Sequence, residues 1–135
     1  MTPAAALALS IMLQGAAAGP FGVWRTHVDD GLVRIEPCGS ALCGHVAGSS
    51  TLRARPDQTD ARNPDPTQRT RPIMGLLMLK VPPVAPGRWG DGWVYDPRNG
   101  GTFKAKIQMT PDGRLRLTGC VAPLLCQTQT WTRAE

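Results

Sequence analysis

Residues 101–109 read GTFKAKIQM, and from residue 102 onward polar and apolar side chains alternate at every position. Successive side chains of a β-strand point to opposite faces, so the alternation predicts a strand with one buried and one solvated face. Turn sequences flank it, with PRNG at 97–100 and TPDG at 110–113. The segment therefore reads as one strand of an antiparallel meander.

The same period of two recurs along the chain, interrupted at short intervals by turn residues. The 15 glycines and 13 prolines among 135 residues disfavour long helices, and with them helical bundles and doubly wound folds. The sequence predicts an all-β domain of eight strands. They lie near residues 22–27, 32–37, 42–48, 73–80, 88–96, 101–109, 114–120 and 125–133.

Eight up-and-down strands with one buried face can remove their exposed edges by closing into an antiparallel barrel. The inward positions carry bulky side chains, which predicts a filled interior without a deep lipid cavity. The predicted inward set is Trp24, Val33, Ile35, Val46, Phe103, Ile107, Leu115, Leu117 and Trp131.

Two segments depart from the alternating pattern. Residues 49–72 form one long polar stretch with four prolines, which predicts either an ordered Ω-loop or a mobile lid and is the segment expected to carry function. Residues 73–80, IMGLLMLK, are apolar on both faces. Such a strand is expected to be covered by the long loop, by the N-terminal segment or by another subunit.

Residues 1–18 have the composition of a secretory signal peptide, with an apolar run over residues 4–13 and an Ala-Ala-Ala cleavage pattern at 16–18. No Lys or Arg precedes the apolar run, so a misannotated start codon or a short buried N-terminal segment remain alternatives. The prediction is a single mature domain over residues 19–135, without a membrane span, that is periplasmic or secreted.

The four cysteines form two close pairs, Cys38 with Cys43 and Cys120 with Cys126. An even count in a small exported chain indicates disulfides, and zinc is the competing interpretation. Two local disulfides across hairpins would each place the paired cysteines opposite one another. The cross-strand pairs that follow are Glu36 with His45, Ile35 with Val46, Thr118 with Thr128 and Leu115 with Trp131.

The net charge of +5 comes from 15 Lys and Arg against 10 Asp and Glu. The arginines are spread along the chain, which is typical of a solvated surface and does not indicate nucleic-acid binding. His27 and His45 lie in no nucleophile or metal motif, and Asp91 with Asp96 is a poor acid–base pair. We predict no catalytic residues, cofactor or metal, although convergence of His27, Asp29 and Asp96 would indicate an enzyme.

Five stretches together carry a family resemblance: GVWRT at 22–26, CGSALCG at 38–44, IMGL at 73–76, VYDPRNGGTF at 94–103 and TQTWTR at 128–133. They resemble the bacterial exported domain of unknown function 2147 family over essentially the whole mature chain. The resemblance implies a lipocalin-like barrel and leaves the activity open.

A lipocalin-like fold also implies roles for individual residues. In such barrels a first-strand Trp is covered by an Arg near the end of the last strand, and Trp24 and Arg133 stand in those positions. The resemblance therefore implies that this pair closes the barrel by a cation–π contact. Tyr95-Asp96-Pro97 is interpreted as a turn in which the Asp accepts backbone amides.

These observations predict a non-enzymatic bacterial envelope protein that binds a small hydrophobic or amphipathic molecule at the barrel mouth, beside residues 49–72. The alternative is a protein interaction module or homodimer that uses the apolar strand at 73–80. No ligand-binding residue is assigned from the sequence.

Overall fold

The computed structural model describes residues 19–134, and the predicted signal segment, residues 1–18, lies outside them. The strands are β1 (Gly22–Arg25), β2 (Leu32–Cys38), β3 (Ala41–Gly48), β4 (Leu77–Val81), β5 (Pro83–Ala85), β6 (Arg88–Asp96), β7 (Gly101–Met109), β8 (Leu115–Ala122) and β9 (Leu125–Arg133). A five-residue helix, α1 (Ser50–Ala54), and a 3₁₀ turn (Pro66–Gln68) follow β3. No helix within residues 19–134 has the length and apolar character that crossing a membrane requires.

Eight of the strands close into an antiparallel barrel, as predicted. The order of hydrogen-bonded neighbours is β4-β3-β2-β1-β9-β8-β7-β6, and β4 also pairs with β6. That closing pair sets Leu79 opposite Val94 and Lys80 opposite Trp93. The additional strand β5 continues the course of β4 along β6 after an interruption at Pro82.

The two ends of the barrel differ. The base holds residues 19–21, the β2–β3 turn and the β7–β8 turn; the mouth holds the β1–β2, β6–β7 and β8–β9 turns together with the mouth segment, residues 49–76. Bulky inward side chains fill the half toward the base. The residues there with 0–1% exposure are Trp24, Ile35, Leu42, Leu79, Val81, Ile107, Leu115 and Trp131.

Gly44 makes this close packing possible. A Cβ at position 44 would lie 2.7 Å from Cγ of Leu79, which occupies the space above the glycine. Gly44 and Leu79 are register partners on the paired strands β3 and β4, so the Leu79 side chain packs over a residue that has no side chain.

The strand predicted at residues 73–80 is wrong at its start. Residues 73–76 form a turn instead, and β4 begins at Leu77. Gly75 has a φ of 83°, which ends any extended run, and the turn is tied to Val46 by two backbone hydrogen bonds of 2.9 Å. The segment therefore does not present two apolar faces of one strand, and Met74 is its only strongly exposed large apolar side chain.

The predicted register of β8 and β9 is confirmed. Cys120 lies opposite Cys126, Leu115 opposite Trp131 and Thr118 opposite Thr128. The two threonine hydroxyls are 2.9 Å apart on the outer face.

The predicted register of β2 and β3 is wrong by two residues. Ile35 lies opposite Gly44, Arg34 opposite His45 and Glu36 opposite Cys43. The cause is the two-residue hairpin loop, in which Gly39 has a φ of 64° and Cys38 pairs with Ala41.

Both cysteine pairs nevertheless lie at disulfide-bonding distance. The Cα atoms of Cys38 and Cys43 are 5.8 Å apart, and the bond runs diagonally across the hairpin. Cys120 and Cys126 lie directly opposite each other, and their Cα atoms are 4.0 Å apart.

Trp24 and Arg133 meet where the first and last strands pair. The two residues are register partners, and the guanidinium carbon of Arg133 lies 4.3 Å from the centroid of the Trp24 ring. The guanidinium also donates to the carbonyls of Phe21, at 2.8 Å, and Gly19. The indole Nε1 donates to the carbonyl of Pro20 at 2.8 Å. One arginine thus covers the base of the barrel and holds residues 19–21 against it.

We expect Arg133→Met to lower the free energy of unfolding by about 1–2 kcal/mol, because it removes the cation–π contact and the hydrogen bonds to two carbonyls. Urea unfolding measures the change. The control is Arg114→Met, since Arg114 is exposed and forms an ion pair with the exposed Asp112 in the β7–β8 turn. Equal effects of the two substitutions would contradict a closure role for Arg133.

Candidate functional site

A cavity of about 1260 Å³ enters the barrel from the mouth, so the predicted filled interior holds only for the half toward the base. Its deep wall is mainly apolar. Strand β9 adds two amides, Gln127 and Gln129, and Gln129 Oε1 accepts a 2.8 Å hydrogen bond from the Trp131 indole. The apolar wall residues are Val33, Val46, Val94, Phe103, Leu117 and Trp131.

One inward position that borders the cavity, residue 119, carries no side chain. Gly119 lies on β8 between Ala105 of β7 and Gln127 of β9. A Cβ at residue 119 would lie 3.5 Å from both Phe103 and Val94, which is ordinary van der Waals contact. The inward set predicted from the sequence contains only large side chains and omits Gly119. This glycine is the feature of the sequence that indicates space in the half of the barrel toward the mouth.

The rim of the cavity is polar and carries two aspartates that are already engaged. Asp29 accepts from the hydroxyl of Thr51 at 2.6 Å and from its backbone amide at 3.2 Å, which lowers the pKa of the carboxyl. Asp96 accepts from Nε and a terminal nitrogen of Arg98 at 3.0 and 2.8 Å. This ion pair raises the pKa of Arg98. Asp96 also accepts the Arg98 amide at 2.9 Å, the geometry of a turn.

Helix α1 begins the mouth segment and borders the cavity. The hydroxyl of Ser49 caps it by accepting the amide of Leu52 at 3.0 Å. The side chain of Leu52 is 3% exposed and lines the cavity wall. The long polar stretch therefore does contribute one apolar residue to the interior, which its overall composition concealed.

A buried carboxylate fixes the middle of the mouth segment to the barrel. Asp60 is fully buried and accepts three hydrogen bonds, from the Tyr95 hydroxyl at 2.7 Å, Asn63 Nδ2 at 2.9 Å and Arg71 Nε at 3.0 Å. Tyr95 lies on the outer face of β6, since its neighbour Val94 points inward. The Arg71 guanidinium also lies 5.6 Å from the centroid of the Tyr95 ring.

The ionisation of this cluster follows from its contacts. Burial alone would raise the pKa of Asp60, but the hydrogen bonds from Asn63, Tyr95 and Arg71 outweigh it and lower the pKa below its usual 3.8. Burial and the hydrogen bond to Asp60 raise the pKa of Tyr95 to about 12. The cluster is therefore a carboxylate held by a neutral phenol and a cation across the physiological range. No pattern in the sequence connects residues 60 and 95.

Backbone contacts complete the attachment of the mouth segment. The amide of Asp60 donates to the carbonyl of Arg71 at 2.9 Å, and the amide of Ile73 donates to Gln58 at 3.0 Å. The carbonyl of Arg62 packs against Gly100, where any Cβ would collide with it. Residues 49–72 were predicted to form either an ordered Ω-loop or a mobile lid, and these contacts are those of an ordered loop.

Of the three residues considered for catalysis, Asp29 and Asp96 both border the cavity and His27 does not, and each is engaged with a separate partner. His27 Nε2 hydrogen-bonds the hydroxyl of Thr132 at 2.7 Å, whereas Asp29 binds Thr51 and Asp96 binds Arg98. Asp91 has a φ of 57° in a bulge of β6 and is exposed, away from the cavity. Within residues 19–134, no group of three His, Cys, Asp or Glu side chains could hold a metal ion.

A model of the family described as "Uncharacterized protein conserved in bacteria (DUF2147)" matches residues 22–133. Among solved structures, the chain is similar to protein HP1028 from the human pathogen Helicobacter pylori, which is described as belonging to the lipocalin family. The TM-score is 0.77 with 18% sequence identity, over 88% of this chain and 85% of that chain. At this identity the likeness shows a lipocalin-like fold alone. No curated protein matches the chain.

We expect the single tyrosine, Tyr95, to ionise at a pKa of about 12. Because the folded state raises the pKa above 10.0, the phenol contributes stability that is fully present below pH 10 and is lost as the pH rises through about 12. Tyrosinate absorbance in the near ultraviolet, read after a rapid pH jump, follows the titration before the protein unfolds.

Asp60→Asn is expected to lower the Tyr95 pKa, because it removes the adjacent negative charge and keeps an acceptor oxygen. The matched control is Asp65→Asn, in the same segment, whose carboxylate accepts from the amide and the hydroxyl of Thr67. An unshifted Tyr95 in the wild type, or equal shifts in the two variants, would contradict the buried cluster.

Proposed function

Because the chain belongs to the family described as "Uncharacterized protein conserved in bacteria (DUF2147)", to which its description attaches no activity, we propose a function from the cavity. The protein binds a small amphipathic molecule, without catalysis, in the open half of the barrel. The observation that carries this proposal is the cavity of about 1260 Å³ with an apolar wall and a charged rim.

The cavity has the properties of a ligand site rather than of a packing defect. Ligand pockets in proteins have volumes of roughly 300–1,000 Å³ and combine apolar walls with a few polar groups. At about 1260 Å³ this cavity is larger than that range, and it has the same combination of wall and polar groups. Here Phe103 and Trp131 line the depth, and the charged side chains lie at the rim. An amphipathic molecule with its apolar part inward and its polar part at the mouth matches this division.

The β8–β9 turn supports the same orientation. Val121, Leu124 and Leu125 border the cavity and are 65%, 93% and 64% exposed. Exposed apolar side chains that continue into an apolar cavity give the tail of a ligand a path from solvent to the interior. The Cys120–Cys126 pair holds the two strands together beneath this turn.

The proposed location is the bacterial cell envelope, with residues 1–18 as an export signal. Two cysteine pairs at bonding distance support an oxidising compartment. The absence of catalysis is also part of the proposal, and the engagement of His27, Asp29 and Asp96 with separate partners supports it.

The alternative function is protein interaction through residues 73–80, and this segment exposes little apolar surface to a partner. In this segment Leu76 and Leu79 are buried and Met74 is the strongly exposed apolar side chain. Light scattering after size exclusion separates the two functions, because a stable dimer that Leu77→Asp dissociates would favour the interaction.

Gly119→Leu is expected to weaken binding of a fluorescent amphipathic probe by at least about tenfold, since the new side chain occupies the cavity. Its Cβ has room, so the barrel is expected to fold. The control is Thr118→Leu, which adds a comparable side chain to the outer face of the same strand. Fluorescence titration measures both affinities.

Equal weakening by the two substitutions, or no saturable binding to the wild type, would contradict the proposed site. Native mass spectrometry of protein purified from its own host provides a second readout. A copurifying small molecule that Gly119→Leu removes is the expected result, and an empty wild-type protein would count against the proposal.

A further inference from the structure

We propose that the ligand is an amphipathic anion, whose carboxylate or phosphate head lies between Arg55 and Arg62 at the mouth. This inference rests on the proposed function and adds the chemical class of the ligand. The evidence for it is which charged groups around the cavity form ion pairs or hydrogen bonds and which do not.

Five charged side chains border the cavity, and three of them are already satisfied. Asp29 is held by Thr51, and Asp96 and Arg98 form a two-point ion pair. Arg55 and Arg62 also border the cavity. Within residues 19–134, no carboxylate lies at ion-pair distance from either of them. The charge available to a ligand at this rim is therefore positive.

The backbone of Arg55 is fixed beside the cavity. Arg55 follows the last residue of α1, and its amide donates to the carbonyl of Thr51 at 2.9 Å. Leu52, one turn earlier, packs into the cavity wall, and Thr51 is tied to Asp29 of the β1–β2 turn. The contacts of Leu52 and Thr51 therefore fix α1, and with it the backbone of Arg55, beside the cavity.

Arg62 is fixed by a different set of contacts. Its carbonyl packs on Gly100, and one guanidinium nitrogen donates to the carbonyl of Arg98 at 2.5 Å. Asp60, two residues earlier, is anchored on Tyr95. A guanidinium that donates one N–H to a carbonyl keeps further donors for a second acceptor. Arg62 can therefore bind an anionic head without giving up its own anchor.

The chemistry of these groups selects the head of the ligand. Guanidinium groups bind carboxylate and phosphate through paired charge-assisted hydrogen bonds, which are about twice as strong as neutral ones. A cationic head would meet two unpaired arginines, and it could reach Asp96 only by displacing Arg98. A neutral head would gain only ordinary hydrogen bonds. An anion is the head that this rim favours.

The test compares alkyl ligands of equal chain length that carry a carboxylate, a phosphate, a hydroxyl or a trimethylammonium head. Isothermal titration calorimetry gives each dissociation constant. We expect both anions to bind about tenfold or more tightly than the alcohol, with a preference that declines as salt is added. The ratio of carboxylate to phosphate affinity distinguishes the two anionic ligand classes.

Arg55→Gln is expected to reduce the preference for the anion over the alcohol by about 3- to 10-fold, because the alcohol loses at most an ordinary hydrogen bond. Saturable binding of the alcohol by the variant shows that it folds and keeps its cavity. Arg55→Lys should retain most of the preference. The matched control is Arg34→Gln, on the outer face of β2, which should alter no affinity.

The outcomes separate this inference from the function on which it rests. If all four ligands bind equally, or if Arg34→Gln and Arg55→Gln act alike, the assignment of an anionic head is overturned while the ligand cavity stands. If no alkyl ligand binds, both are overturned. Tighter binding of the trimethylammonium ligand would assign the rim to cations and also overturn the inference.

Discussion

The buried carboxylate of Asp60 is the constraint on which the mouth of this barrel depends. A carboxylate removed from water costs several kcal/mol unless charged and hydrogen-bonding partners replace the solvent. Tyr95, Asn63 and Arg71 supply those partners, and Arg71 keeps part of its side chain in water. Because losing any one partner would leave the buried charge unsatisfied, this cluster allows one position of the mouth segment against β6.

That position decides where the rest of the mouth lies. With Asp60 held on the outer face of β6, the chain before and after it crosses the rim. Arg62 then reaches the β6–β7 turn at Gly100, and α1 lies against the β1–β2 turn through Asp29 and Thr51. The mouth segment is therefore a wall of the cavity that is built before any ligand arrives. A preformed site spares the ligand the entropic cost of ordering it.

The packed core and the cavity occupy opposite halves of the barrel. Toward the base, Trp24 and its bulky neighbours exclude solvent, and Arg133 covers the pair of strands that closes the sheet. Toward the mouth, Gly119 and several valines leave space that side chains do not fill. Tight packing at one end thus offsets the packing contacts that an open cavity lacks at the other.

The fold was predictable because its signals are local. Alternation in β7 and turn residues between strands indicate a meander, and the relation between Cys120 and Cys126 sets the β8–β9 register directly. The same reasoning failed for β2 and β3, where a two-residue turn fixed the register and the cysteine bond runs diagonally. It failed again at residue 75, where one glycine with positive φ delays the start of β4.

The candidate site was less predictable because it depends on contacts distant in sequence. Nothing local connects Asp60 with Tyr95, thirty-five residues away, and an isolated Asp in a polar stretch reads as solvated. The positive charge of the rim also depends on contacts that the sequence does not indicate. Asp29 is bound to Thr51 and Asp96 to Arg98, so neither aspartate pairs with Arg55 or Arg62. The number of charged residues can be read from the sequence, whereas the fold determines which of them form ion pairs.

Amide hydrogen exchange of the ligand-free protein tests most directly whether the mouth segment is a fixed wall. The amides to read are those of Asp60 and Ile73, which donate to the carbonyls of Arg71 and Gln58 across the segment. We predict that both exchange far more slowly than an unstructured chain, and that Asp60→Asn accelerates both while the barrel strands stay protected. Exchange at the rate of an unstructured peptide in the wild-type protein would contradict a preformed cavity.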